Sequence, residues 1–210
     1  MKSRFHHTSP LLFLLFILPL SIQAQDPWGA WSSVQINKSW SKIYVSFLAE
    51  YRSVDNFEAI DCYFLRPFVG YKFNSWFKAD MAYDYTYKTA SPQNRVLVSA
   101  TGTLKRENLS VSLRERFVGA WTVSDGAFSP LLRSYLKTQY KIVCGSHFSF
   151  SPYMAIELYT WDKWKMSHHF VGCSIAYDKT HSLNIFYAYN LSAKKTHADN
   201  IIGVGYTIDL

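Results

Sequence analysis

The sequence predicts an all-β protein: an antiparallel up-and-down transmembrane β-barrel of about 10–12 strands with a polar lumen. Three observations lead there. Apolar and polar residues alternate with period two over long stretches. Several stretches are longer than the ~5–6 residues usual for strands of soluble proteins and reach the ~9–11 that a tilted strand needs to cross a bilayer. An export signal precedes them all.

Composition sets the frame. The chain has 210 residues, of which 49% are hydrophobic, too many for an intrinsically disordered protein. Charged residues are 18%, below the roughly 25% of an ordinary soluble domain. Aromatic residues also reach 18%, with 15 Tyr, 15 Phe and 7 Trp. Tyr and Trp suit surfaces that are apolar at one end and wet at the other. No stretch of the body reaches the ~18 consecutive apolar residues of a membrane helix.

The first element is an address. Lys2 and Arg4 form a basic start, Leu11 to Leu18 an apolar run, and Ser21-Ile22-Gln23-Ala24 a cleavage region. The expectation is a secretory signal peptide over 1–24 and a single barrel domain over 25–210, placed in the outer membrane of a Gram-negative bacterium. No Cys follows the cut, so a lipid-anchored protein is not expected. Loss of Lys2 and Arg4 takes the net charge from +7 to +5. That charge favours outer-membrane lipids and lipopolysaccharide, and the barrel assembly machinery is the other expected partner. No nucleic-acid motif and no cofactor motif is present.

The strands follow in order. They are expected at about 28–36, 42–52, 61–73, 76–89, 95–104, 109–121, 132–143, 150–161, 167–177, 181–191 and 200–210. In the second, Ile43, Val45, Phe47, Ala49 and Tyr51 alternate with Tyr44, Ser46, Leu48, Glu50 and Arg52. In the fourth, Phe77, Ala79, Met81, Tyr83, Tyr85 and Tyr87 alternate with Lys78, Asp80, Ala82, Asp84, Thr86 and Lys88. The seventh, the tenth and the last repeat the pattern, the last on Ile202, Val204, Tyr206, Ile208 and Leu210.

Short polar turns are expected at Asn37-Lys38-Ser39, Asn74-Ser75, Lys105 to Asn108 and Asp178-Lys179-Thr180. Longer connections are expected near 53–59, 90–94, 122–130, 162–165 and 192–199. The alternation of short and long matches tight periplasmic turns and larger outer loops. Eleven strands is an odd count, and bacterial single-chain barrels have even ones. Either 28–36 lies outside the ring or one strand is missed. Trp28, Trp31, Trp40, Trp76, Trp121, Trp161 and Trp164 all fall near strand ends or turns, as an interfacial girdle would require. Alternation alone does not tell which face is wet, so a soluble periplasmic lipid-binding barrel is the inside-out alternative.

Several stretches carry a resemblance. Trp28-Gly29-Ala30-Trp31 opens the mature chain, and Glu50-Tyr51-Arg52 ends the next strand. Leu132-Arg133-Ser134-Tyr135-Leu136-Lys137, Pro152-Tyr153 with Glu157, and Gly203-Val204-Gly205-Tyr206 follow. In order and spacing these resemble the Bacteroidetes outer-membrane barrel family known as domain of unknown function 2490, over nearly the whole mature chain. The resemblance implies an outer-membrane β-barrel and brings no activity or catalytic residue. Many outer-membrane barrels end in an aromatic residue, whereas this chain ends in Asp209-Leu210.

Candidate chemistry is sparse. His147 and Ser149 share a face of an extended chain, with Glu157 in phase eight residues on. The trio is similar to the His-x-Ser and downstream Glu of outer-membrane lipid A deacylases, and an acyl-ester hydrolase is the enzymatic alternative. His147 falls in an expected periplasmic turn, which argues against it. Asp80 and Asp84 lie about 13 Å apart along one strand face, too far to share a proton, and are expected to pair with Lys78 and Lys88. His168 and His169 are adjacent and point to opposite faces, so no metal site is expected. Cys62, Cys144 and Cys173 form no motif, and one pair could bridge in an oxidising compartment.

The richer set is the expected lumen. Glu50, Arg52, Arg66, Lys72, Lys78, Asp80, Asp84, Lys88, Arg114, Arg116, Arg133, Lys137, Lys141 and Glu157 all share the inward phase. The functional expectation is a non-enzymatic barrel. It is either structural, with its lumen plugged by ion pairs, or a narrow pore that weakly favours anions.

Overall fold

The computed structural model describes residues 26–88, 91–194 and 199–210. The expected signal peptide lies outside these residues. The described chain is built from strands: β1 (Trp28–Trp40), β2 (Ile43–Val54), β3 (Ala59–Lys72), β4 (Phe77–Tyr87), β5 (Gln93–Arg106) and β6 (Leu109–Thr122) form the first half. β7 (Phe128–Tyr140), β8 (Ile142–Cys144), β9 (Phe148–Trp161), β10 (Lys163–Tyr177), β11 (His181–Ser192) and β12 (Asp199–Asp209) form the second.

Consecutive strands pair antiparallel all the way round. β8 continues β7 past Lys141 against the same partner, β9, in unbroken register: Gln139 faces Tyr153 and Ile142 faces Phe150. The ring therefore has eleven strands, with β8 as a short extension. It closes through a parallel pair, β1 on β12, from Trp28 opposite Asn200 to Asn37 opposite Asp209. This corrects the expectation about 28–36, which is neither outside the ring nor evidence of a missing strand. In an up-and-down ring of odd number the first and last strands run the same way, so the seam must be parallel. Its slanted bonds leave no open edge.

Two other expectations shift. β1 runs on through the expected turn at 37–39, and the reversal falls at residues 41–42, with Ser41 at φ 51°. The expected long connection at 162–165 is a single residue, Asp162 at φ 57°, between β9 and β10. A register shift between Trp164 and Met166 absorbs the residues that looked like loop. The remaining connections keep the asymmetry: two to four residues at one end of the barrel, and four to six at the other. We call these the short-turn and long-loop ends.

Sidedness is unambiguous. On β3, Tyr63, Leu65, Val69 and Tyr71 are exposed outside, while Cys62, Phe64 and Arg66 are buried inside. Along β7, Phe128, Leu132, Leu136 and Tyr140 form the outer face. Both strands place aromatics at the ends and aliphatics between. Across the barrel this makes an aliphatic belt (Val34, Met81, Val98, Ile185, Val204) between two aromatic rims. Trp40, Trp76, Trp121, Trp161 and Trp164 are exposed at those rims, whereas Trp31 is buried in the lumen.

Among the described residues, apolar side chains fill part of the interior. Trp31, Tyr153, Phe170, Ala188 and Ile201 form one apolar cluster, and Ala82, Leu97 and Val118 another. Gly203 makes the first possible, since a Cβ there would meet the Phe186 ring at 1.9 Å. Gly70 likewise leaves room for the Tyr44 ring, 2.2 Å from where a Cβ would stand.

Candidate functional site

Charged side chains from most of the strands meet inside the barrel in two centres whose carboxylate is bonded at both oxygens and one whose carboxylate is not. The first is Asp84 on β4, which is 0% exposed. Arg95 Nε donates to its Oδ1 at 2.6 Å and Arg95 Nη2 to its Oδ2 at 3.0 Å. Arg66 Nε donates to Oδ2 at 2.6 Å, and the Thr86 hydroxyl to Oδ1 at 3.0 Å. The second is Glu157 on β9, where Arg133 Nη2 lies 2.9 Å from both oxygens and Arg114 Nη2 lies 3.0 Å from Oε1. The Tyr159 hydroxyl donates to Oε2 at 2.8 Å, with His168 Nδ1 beyond at 3.9 Å. Charge removed from water is tolerable only when matched in this way.

Between the two centres, Arg52 bonds Glu50 at 2.5 Å and lays its guanidinium 3.8 Å above the Trp31 ring. This layer meets the apolar clusters at Trp31, and of its carboxylates Asp84 and Glu157 are buried while Glu50 is half-buried.

The third centre is different. Arg116 Nε donates to the Ser99 hydroxyl at 2.7 Å, and its closest carboxylate oxygen is Asp80 Oδ1 at 4.0 Å. Asp80 Oδ2 accepts from the Tyr44 hydroxyl at 3.0 Å, and Asp80 Oδ1 has no hydrogen-bond partner. Arg116, Asp80 and Tyr44 line a cavity of about 350 Å³. Its inner wall is Arg52, Arg66, Arg116 and Arg133. Gln35, Tyr44, Ser46, Lys78 and Ser112 also line it, from the short-turn halves of β1, β2, β4 and β6, so the cavity is a vestibule at that end.

The expected lumen residues divide accordingly. Glu50, Arg52, Arg66, Asp84, Arg114, Arg133 and Glu157 join the closing layer, and Lys78, Asp80 and Arg116 the vestibule. Lys137 sits 4.0 Å over the Tyr153 ring. Lys72 is exposed at the short-turn rim, bonded to Ser39, and Lys141 is exposed between β7 and β8. Lys88 lies just past the end of β4. Asp80 and Asp84 do not pair with Lys78 and Lys88 as expected, because tilted neighbouring strands bring arginines closer than residues of the same strand.

Sequence reading missed Arg95, Tyr159, His168 and Trp31. Arg95 shares the phase of buried Leu97 and Ser99 and was visible in principle. The others carry no sign of their partners: Tyr159 meets Glu157 two residues back on its own strand, and the partners of His168 and Trp31 lie on other strands.

The expected hydrolytic trio does not assemble. His147 Nδ1 pairs with Asp178 at 2.6 Å, and Ser149 lies opposite Ala176. Glu157, eight residues along β9, is committed to two arginines and a tyrosine. A different pair does form on the outer face: Ser167 Oγ and His169 Nε2 are 3.2 Å apart on β10. Among the described residues no carboxylate orients His169, so the nucleophile–base–orienter logic stays incomplete. Cys62, Cys144 and Cys173 are all free.

A family model described as protein of unknown function (DUF2490) matches residues 28–201. That span runs from the first strand to the start of the last, and the chain belongs to this family. No curated protein matches it. Among solved structures, the NanC porin is similar at 14% identity and a TM-score of 0.48, covering 77% of this chain and 84% of that one.

Proposed function

We propose that this DUF2490 member is an outer-membrane β-barrel whose lumen is shut at rest by its arginine–carboxylate layer, and that its role is structural or ligand-binding rather than that of an open diffusion pore. The observation that carries this reading is the sidedness. Large apolar side chains cover the outside in an aliphatic belt between aromatic rims, and most of the charges are inside, Glu115 on the outer face of β6 being held by the Ser134 hydroxyl. An exposed apolar surface of that extent belongs in lipid. A soluble lipid-binding barrel would need the reverse. The apolar outer face would contact outer-membrane lipids and lipopolysaccharide, and assembly would pass through the barrel assembly machinery.

Charge balance supports a second, conditional reading. The inner layer and vestibule hold the guanidinium groups of Arg52, Arg66, Arg95, Arg114, Arg116 and Arg133 with Lys78, against Glu50, Asp80, Asp84 and Glu157. Any passage opened through this layer favours anions. Two measurements test the proposal. Unboiled protein from the outer-membrane fraction should migrate differently from boiled protein. In planar bilayers the wild type should give no steady conductance, and Glu157→Gln should give anion-preferring steps. A soluble protein without a mobility shift would reverse the membrane reading, and a steadily open wild-type channel would reverse the closed one.

A further inference from the structure

We infer that the short-turn vestibule is a binding site for a small hydroxylated organic anion, held at its oxyanion by Arg116. The inference rests on the barrel reading above only in that this end must face water. Three observations converge. First, the site has more positive charge than its own carboxylates can match: six cationic side chains line it against two acids, Glu50 and Asp80, and Glu50 is already engaged by Arg52. The surplus is localised. Arg116 is buried, is bonded to a neutral hydroxyl, and has no carboxylate closer than 4.0 Å. A guanidinium so placed retains donors in a fork that fits carboxylate or phosphate.

Second, hydrogen-bonding capacity stands unused around it. Arg114 Nε, Arg133 Nε and Asp80 Oδ1 are buried without a partner, and all three residues line the cavity. Buried polar atoms are ordinarily satisfied, so unmet ones clustered at one cavity point to an occupant. Third, the walls are not purely cationic. Ser46, Thr101, Ser112 and the Tyr44 hydroxyl add neutral donors and acceptors. They suit a polyol body better than a bare inorganic ion. The volume of about 350 Å³ is within the range of small-molecule sites. A lone acid, Asp80, opposite the cation cluster would accept from a ligand hydroxyl and fix its orientation.

The test is calorimetric titration of detergent-folded full-length barrel with a hexuronate, a hexose phosphate and the neutral hexose. Folding of every sample is checked by the boiled-versus-unboiled shift. Saturable binding of one of the two anions, with none of the neutral sugar, is expected, and which anion binds identifies the head group as carboxylate or phosphate. Affinity should fall at least tenfold in Arg116→Gln, be largely kept in Arg116→Lys, and be unchanged in Lys194→Gln, a surface cation at the other end. It should weaken with added salt, as charge recognition requires. Absence of binding of both anions by a heat-modifiable barrel overturns the inference and leaves the barrel reading standing. So does binding indifferent to Arg116→Gln. Loss of the heat shift in the wild type overturns both.

Discussion

Asp80 and Asp84 stand four residues apart on one strand and one face, yet live in opposite conditions. Asp84 takes hydrogen bonds from two arginines and a threonine and is wholly buried. Asp80 takes one from a tyrosine, keeps one oxygen unmatched and faces its arginine across 4.0 Å. Four residues carry a strand about 13 Å. Over that length the lumen passes from a sealed layer to a wet vestibule. The same residue type at one spacing thus closes the barrel in one place and equips it to bind in another. Only the partners supplied by neighbouring strands differ.

The largest predicted effect breaks the first half of this contrast. Asp84→Asn leaves the buried Arg66 and half-buried Arg95 guanidinium groups unmatched, and should cost about 3–5 kcal/mol. The temperature at which unboiled protein converts to the boiled mobility should drop accordingly. Replacing Asp84, Arg66 and Arg95 together by apolar residues of similar volume should recover most of that loss, since an unmatched charge costs more than an absent pair. If the triple replacement is as unstable as the single one, packing rather than charge holds the layer.

Gly203→Ala comes next. Its new methyl has to displace the Phe186 ring that packs against the Trp31 cluster, at a cost of about 1–3 kcal/mol. The same unfolding assay checks it, and an unchanged transition would mean that the ring moves freely. Asp80→Asn should have the smallest effect on stability, under about 1 kcal/mol, because it loses no close ion pair. Its effect should appear in anion titrations instead, where removing a negative charge beside Arg116 raises the affinity for a bare anion. A stability loss equal to that of Asp84→Asn would erase the distinction between the two sites.

Much of the fold was legible because each strand is decided by its own alternation. Tyr63-Leu65-Val69-Tyr71 can be read without knowing its neighbours. Parity was not legible. Period two says nothing about whether the first strand meets the last in parallel, and a rule drawn from even barrels pointed the wrong way. The single-residue turn at Asp162 was hidden because Lys163-Trp164-Lys165 looks like loop until a bulge is allowed. The lumen phase of Glu50, Asp84, Arg133 and Glu157 was readable, but their pairing was not. Barrel tilt sets which residues of different strands share a level, so Asp84 meets Arg66 and Arg95 rather than Lys88. Trp31 shows the same limit from the other side. Its place near a strand end suggested an interfacial ring, while its inward phase and the Arg52 guanidinium above it put it in the lumen.

The most direct test is spin-label accessibility along β4, with Cys62, Cys144 and Cys173 first replaced by serine and labels placed singly at 78, 81, 82, 83 and 85 in protein reconstituted in lipid. A lipid-facing exterior and a sealed layer require contact with lipid-dissolved oxygen at 81, 83 and 85, contact with a water-soluble relaxation agent at 78, and neither at 82. Access of the water-soluble agent to 81, 83 and 85 would contradict the apolar exterior as a lipid face. Access of that agent to 82 as free as to 78 would contradict the sealed layer.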